Sequence, residues 1–237
     1  MRPRICVVQT GDAIAPLQRT LGNYDRLFVR QFACLGVSTT VVRAHLGSRL
    51  ATPQADAVLV TGSRLSVVSP APWMEQLGED LREASARGTP ILGVCFGHQL
   101  LGHAWGGSVQ RSPKGREIGT SWVRQSAKGL ADPLFRGLPE TFAAQTTHED
   151  EVLSPPQGTQ ILASNAHSQV QALAFNSHVR GVQFHPEFDA AVLRCLITAR
   201  AKELSQQGRL RSALAGLSAT PFAHRVLANF IAHFVSK

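Results

Sequence analysis

The sequence predicts an α/β fold built on an open, mostly parallel sheet with helices on both faces. Three observations carry this. Short β-type runs alternate with stretches of helical periodicity over the first hundred residues. The strand-like runs are continuously apolar, as expected of strands covered on both sides. Glycines close the helical stretches, as C-terminal stops do.

The elements follow in order. Arg4–Thr10 (RICVVQT) is a short β-type run. Leu17–Leu35 has helical spacing, with Leu17, Leu21, Tyr24, Leu27, Phe28, Gln31, Phe32 and Leu35 able to share one face, and Gly36 ends it. Val37–Arg43 is β-branched and reads as a strand, and Ala55–Thr61 (ADAVLVT) is a continuous apolar strand ending in Gly62-Ser63. Trp73–Arg87 reads as a helix stopped by Gly88, followed by the apolar strand Pro90–Cys95 and a helix over Gln99–Trp105. Ser108 to Gln160 is turn-rich, with short alternating runs such as Gly119–Arg124, and reads as a meander of short strands and loops. Gln169–Phe175 and Val179–Phe184 form an expected hairpin. Helical patterning resumes with one helix from Asp189 to about Gln207 and another from Pro221 to the end, Pro221 suiting a first turn. No Pro/Ser/Gly linker divides the chain, so residues 1–237 read as one domain, with about 189–237 as a helical C-terminal extension.

The 237 residues carry 24 Lys and Arg against 16 Asp and Glu, a net charge of +8. A chain of this length buries roughly 70% of its unfolded surface, enough for a real core. The pI near 10.2 raises nucleic acid as a partner. The cations are spread along the chain, however, and aromatics make up only 6% with a single Tyr, so stacking platforms and a clustered phosphate track are missing. A solvated basic surface is expected instead, able to attract anionic ligands. No apolar run reaches the ~18 residues of a membrane helix, and the N-terminus turns polar too soon for a secretory signal, so a cytoplasmic protein without membrane contact is expected. The cysteines Cys6, Cys34, Cys95 and Cys195 form no CxxC pair. Cys6, Cys34 and Cys195, among apolar neighbours, read as inert core thiols.

Cys95 is different. Gly93-Val94-Cys95-Phe96-Gly97-His98-Gln99 follows an apolar strand and precedes a helix, the pattern of a nucleophile elbow. Flanking glycines permit a turn too tight for Cβ atoms, pushing the sulfur out at the carboxyl end of the sheet. The Phe96 N–H points into the same space at a helix N-terminus, which lowers a thiol pKa and can stabilise an oxyanion. A bare GxCxG equally describes a buried cysteine in a Gly-rich turn. His185-Pro186-Glu187 ends another strand; residues two apart in extended chain face one side, so the carboxylate can orient the imidazole. Cysteine, histidine and acid make the triad logic of acyl transfer. A metal reading of His148, Glu149, Asp150 and Glu151 fails on spacing.

GVCFGHQ together with GVQFHPE resembles the class I glutamine amidotransferases, the glutaminase domain of GMP synthase most closely, and the matching segments run in family order to about residue 188. The resemblance implies a flavodoxin-like doubly wound sheet and no cofactor. It implies Cys95 as nucleophile, His185 as general base and acid, and Glu187 as orienting carboxylate. It assigns the oxyanion donors to the N–H groups of Phe96 and Gly62, and substrate contacts to Gln99 and the loop of Thr147, Glu149 and Asp150, where Glu149 replaces a usual glycine. The expected ligand is glutamine or a γ-glutamyl compound. A separate synthetase is the possible partner, since neither a Walker A loop nor a GxGxxG fingerprint is present. Members carrying GSRxS after the third strand and a helical tail after HPE are the nearest in pattern, and some of that type cleave γ-glutamyl peptides. The alternatives are therefore a stand-alone γ-glutamyl peptidase and a regulatory subunit without catalysis; the complete Cys95, His185, Glu187 set argues against the latter. Arg64, Arg116 and Arg180 are the basic residues expected near an acidic leaving peptide.

Overall fold

The computed structural model of the protein describes residues 2–50 and 55–235. The parallel block comprises β1 (Arg4–Gln9), β2 (Ser38–Arg43), β3 (Ala57–Val60), β4 (Ile91–Val94) and, from the far end of the sequence, β11 (Val179–Val182). Between β4 and β11 run β5 (Ser108–Arg111), β6 (Glu117–Gln125), β7 (Thr141–His148), β8 (Asp150–Ser154), β9 (Gln160–Ser164) and β10 (Ala172–Ala174). Nine strands form one sheet in the order β2-β1-β3-β4-β11-β10-β9-β6-β7, and β5 pairs with β8 as a separate ribbon. The five strands from β2 to β11 are mutually parallel, and the far side continues antiparallel. The expected hairpin is the β10–β11 pair, and the turn-rich middle of the chain supplies the antiparallel wing.

The helices are α1 (Ala15–Thr20), α2 (Tyr24–Cys34), α3 (Pro72–Ala86), α4 (Phe96–Ala104), α5 (Ala127–Ala131), α6 (Ala190–Ala199), α7 (Ala201–Gln206), α8 (Leu210–Ala215) and α9 (Pro221–Phe230). Strand alternation sorts the core by face. Ile5, Val7, Ala57 and Leu59 pack with Phe28 and Phe32 of α2 and with Leu227 and Phe230 of α9. Cys6, Val8, Val58 and Val60 pack on the opposite face with Leu77 and Leu81 of α3 and Leu100 and Leu101 of α4. A third cluster joins Leu193, Leu196, Ile197 and Leu204 of α6 and α7 to Leu17, Tyr24, Leu27 and Phe188. The apolar stripe of the C-terminal extension is thus buried against the body of the same chain. Among the described residues no helix is long and apolar enough to cross a membrane.

Three expectations need correction. The single helix over Leu17–Leu35 is two helices. Gly22 takes φ +99°, a left-handed conformation that costs glycine nothing, and the Asn23 side chain caps α2 by accepting from the Tyr24 N–H. The helix from Asp189 to Gln207 likewise breaks at Arg200 between α6 and α7, and Gly208 (φ +67°) ends α7. Cys34 is exposed and Cys195 half-buried, so of the three presumed core thiols only Cys6 lies in the core, where burial pushes its thiol pKa up. The last helix continues to Val235; residues 236–237 lie outside the described residues.

Strand order reverses between β1, which leads to β2 on one side, and β3 on the other. Such a switch point opens a crevice at the carboxyl ends of the strands. Here those ends are Thr10, Thr61-Gly62-Ser63, Cys95 and Gln183–His185.

Candidate active site

The chain passes from β4 into α4 through Cys95 alone. Its φ of +52° and ψ of −103° make it the one non-glycine residue with positive φ among the described residues. A side chain held there costs on the order of 1–3 kcal/mol, which the surroundings must impose. They do so by close approach. A Cβ on Gly93 would lie 2.5 Å from the Gly97 carbonyl oxygen, and one on Gly97 would lie 2.4 Å from that of Val60. The Cys95 N–H donates to the Val182 carbonyl (2.8 Å), continuing the β4–β11 ladder into the turn. The Cys95 sulfur faces the Thr147 carbonyl at 4.0 Å.

His185 and Glu187 project from the chain just beyond β11. His185 Nδ1 bonds Glu187 Oε1 at 2.7 Å, with the two side chains 3% and 1% exposed. The carboxylate accepts, so Nδ1 carries the proton and Nε2 is the nitrogen left to act. Nε2 is buried with no hydrogen-bond partner among the described residues. The ring is pinned on several sides. Phe188 stacks face to face on it at 3.9 Å and 4°, and the His185 N–H donates to Gln145 of β7. Gln31 of α2 donates to the Glu187 carbonyl, and the ring of His224 of α9 contacts the Pro186 carbonyl through Nδ1 (2.6 Å). Burial alone disfavours the imidazolium, but the charge of Glu187, and after it that of Cys95, outweighs burial and raises the His185 pKa well above the usual imidazole range.

Gly62 completes this corner. A Cβ there would stand 2.8 Å from His185 Cε1 and 3.6 Å from the Cys95 Cβ, so Gly62 directly faces both residues. The Thr10 hydroxyl donates to the Thr61 carbonyl (3.0 Å), the other end of the peptide unit that carries the Gly62 N–H. In a trans peptide the N–H points opposite to the carbonyl. Fixing one direction therefore fixes the other. The N–H groups of Phe96 and Gly62 donate to no acceptor among the described residues.

A cavity of about 270 Å³ opens over the sulfur, near the small end of ligand sites. The residues that the sequence singles out converge on it unevenly. Cys95, Gln99, Thr147, Glu149, Asp150 and His185 line it, whereas Glu187 sits behind the imidazole. The Gln99 amide nitrogen is already engaged, donating to the Asp150 carbonyl (2.6 Å) and to Gln183 Oε1 (3.0 Å), so it holds the loop. Asp150 accepts from the Ser66 hydroxyl, and Glu149 is held by Arg116 at 2.6 Å. Behind the loop, His148 bridges Glu117 (2.7 Å) and the Asp150 carbonyl (3.0 Å). Burial opposes the charge on Glu117, yet the hydrogen bond and charge of His148 outweigh it and take its pKa down to about 2.

Arg64 and Arg116 do line the cavity; Arg180 does not. Arg180 is buried against Asp132 (2.9 Å) and lies over the Phe234 ring, because its place on central strand β11 points it into the helical layer. Sequence reasoning missed Thr10, Tyr24, Phe188 and Arg200. Tyr24 reaches the cavity because the Gly22 turn starts a new helix there. Burial, and next the charge of Cys95, push its hydroxyl pKa up to about 12, against the pull of Arg200 and Arg64. Only the strand-end position of Thr10 and the polar break at Arg200 in an apolar stripe offered any signal.

Comparison with known proteins gives consistent findings. The family model described as glutamine amidotransferase class-I matches residues 21–197. A glutamine-hydrolysing GMP synthase of Aeropyrum pernix is 37% identical over 70% of this chain, which spans only 31% of that protein's length. A separately encoded subunit of the glutamine-hydrolysing GMP synthase of Sulfurisphaera tokodaii is 32% identical over 70% of this chain and 85% of its own length. Gamma-glutamyl peptidase 3 of Arabidopsis thaliana is 27% identical over 75% of this chain and 74% of its own. The crystal structure of a glutamine amidotransferase from Thermotoga maritima shares the fold with a TM-score of 0.78 at 20% identity, over all of both chains.

Proposed function

This chain belongs to the class-I glutamine amidotransferase family, and on that premise we propose that it is a cysteine amidase cleaving the γ-carboxamide of glutamine or of a γ-glutamyl amide. The observation that carries the reading is the buried, unpartnered Nε2 of His185. The ring is held on its far side by Glu187 and at its edge by Gly62, with Cys95 strained into the same space. In this reading the Cys95 thiolate attacks the γ-carbonyl carbon, forming a C–S bond and an oxyanion. The N–H groups of Phe96 and Gly62 bind that oxyanion. The imidazolium of His185 gives its Nε2 proton to the nitrogen, the C–N bond breaks, and ammonia or an amine leaves a γ-glutamyl thioester. Water then loses a proton to Nε2 and attacks the thioester, the C–S bond breaks, and glutamate departs with the thiolate restored. Among the relatives, proteins named as GMP synthase subunits make a separate synthetase a natural receiver of ammonia, and the named peptidase makes an amine the alternative product. A cytoplasmic location fits both.

Three measurements test this reading. Incubated with glutamine, the purified chain is expected to release glutamate; release from no γ-glutamyl amide at all would end the reading. Gly62→Ala puts a methyl group into the imidazole, which Phe188 and Glu187 prevent from yielding, so kcat is expected to fall by about 10²-fold with the fold retained. Thr10→Val frees the peptide that aims the Gly62 N–H. Its expected signature is a kcat lowered about tenfold, a fraction of what loss of a whole oxyanion donor costs, with KM little changed and Thr10→Ser restoring the rate. A Thr10→Val effect confined to KM would remove Thr10 from this role.

A further inference from the structure

The arginines around the cavity are not equivalent. Arg111 and Arg116 approach Glu149 at 3.6 and 2.6 Å, and Arg116 also approaches Glu203 at 3.7 Å. Arg64 and Arg200 have no carboxylate partner among the described residues; the guanidinium of Arg200 makes only a long contact to the Leu196 carbonyl (3.5 Å). Arg200 is half-buried at the junction of α6 and α7, just past the span matched by the family model, and it feels the charges of Arg116 and Arg64. Beside them the Tyr24 hydroxyl makes no hydrogen bond to any described residue although Tyr24 is 5% exposed. Like charges gathered at a partly buried wall repel one another and leave an unfilled demand for an anion. Glutamine does not meet that demand. It is a zwitterion with no net charge, and its α-ammonium and α-carboxylate have Glu149, Asp150 and their paired arginines to meet.

We propose that Arg200 and Arg64, with the Tyr24 hydroxyl, form a subsite for a carboxylate on the leaving amine, so that the substrates of this chain are γ-glutamyl conjugates of amino acids or peptides. The inference rests on the γ-glutamyl amidase reading above. The chemistry is unchanged: the C–N bond of the conjugate breaks, His185 protonates the departing amino group, water supplies the hydroxyl of glutamate, and the carboxylate serves only to hold the leaving group. The C-terminal extension acquires a function through it, since Arg200 and Leu196 are its contribution to the cavity wall.

The test uses γ-glutamylglycine and γ-glutamylethylamide, which differ in having a carboxylate or a methyl at the end of a leaving group of similar size. Titration calorimetry on the full chain carrying Cys95→Ala is expected to show at least tenfold tighter binding of the glycine conjugate. Adding Arg200→Gln should collapse the ratio towards one, and Arg64→Gln, at an exposed position, should reduce it. Circular dichroism melting checks that each variant is folded. Equal affinity for the two probes, binding of neither, or a ratio unmoved by both substitutions would overturn the subsite. In the active protein the kcat/KM ratio should follow the same pattern. Glutamate released from both probes at equal rates would sink the subsite and leave the amidase reading intact. A binding preference with no turnover of either probe would do the reverse.

Discussion

Cys95→Ala is expected to end turnover altogether, and Cys95→Gly is expected to end it while making the protein more stable. Both follow from one geometry. In the proposed mechanism no other group can form the thioester, so removing the sulfur removes the pathway rather than slowing it. The residue's φ of +52° with ψ of −103° is a region that glycine occupies without strain and an L side chain does not. Gly93, Gly97 and the pairing of Cys95 with Val182 hold the turn in shape whatever stands at its centre. Alanine keeps the strain and loses the thiol, so its melting temperature should stay close to that of the parent. Glycine loses both, and about 1 kcal/mol of added stability is expected, the low end of the strain range because some packing goes with the sulfur. Cys6, Cys34 and Cys195 lie outside the cavity, and alanine at each should leave glutamate release within a few-fold of the parent. Denaturant melts alongside activity check every part of this. A Cys95→Gly protein less stable than Cys95→Ala would show that the elbow is not under strain.

The second large effect concerns the base. His185→Ala should lower kcat by ~10²–10⁴-fold or more, the usual scale of a lost general base. Glu187→Gln should cost less, because an imidazole remains, stacked on Phe188 and facing Gly62. The pH dependence separates the two roles. Glu187 makes the largest upward contribution to the His185 pKa, followed by Cys95, and together they overcome burial. A pKa raised on folding means that the imidazolium contributes stability in full below the unfolded value of ~6.5. That contribution fades as the pH climbs to the folded value. Between neutral and alkaline pH the parent should therefore lose stability more steeply than Glu187→Gln, and the alkaline limb of its kcat/KM profile should lie at higher pH. Kinetics in which Glu187→Gln is the more damaging change, or an alkaline limb that does not move, would give Glu187 some other task than supporting the imidazolium.

The sequence made the centre of this site legible and left its walls obscure, for physical reasons that differ by residue. The elbow is written locally: Gly93, Cys95 and Gly97 are needed by a turn that spans five residues, and the strand before it is apolar throughout. His185-Pro186-Glu187 is readable for a similar reason, two side chains on one face of an extended segment. Tyr24 and Arg200 are different. Each reaches the cavity only because a helix expected to run on is broken, at Gly22 in one case and at Arg200 itself in the other, and helical periodicity continues through both breaks. Thr10 reads as the polar end of a strand; its task exists only because β3 lies beside β1. Arg180 misled for the opposite reason. Its charge suggested a surface, and Asp132, 48 residues earlier in the chain, draws it into the interior. The antiparallel wing from β6 to β10 has alternating runs that signal strands but no local feature that fixes which neighbours pair.

The central claim, that Cys95 carries the γ-glutamyl group, is tested most directly by mass spectrometry of the whole chain after exposure to a chloroketone analogue of glutamine. The analogue places its reactive carbon where the γ-carbonyl would sit. The account predicts one adduct per chain, located on Cys95, with glutamate release lost in proportion to labelling and protection by glutamine or a γ-glutamyl dipeptide. An adduct on exposed Cys34, on Cys6 or on Cys195 that accompanies the loss of activity, or full labelling of Cys95 with turnover undiminished, would contradict it.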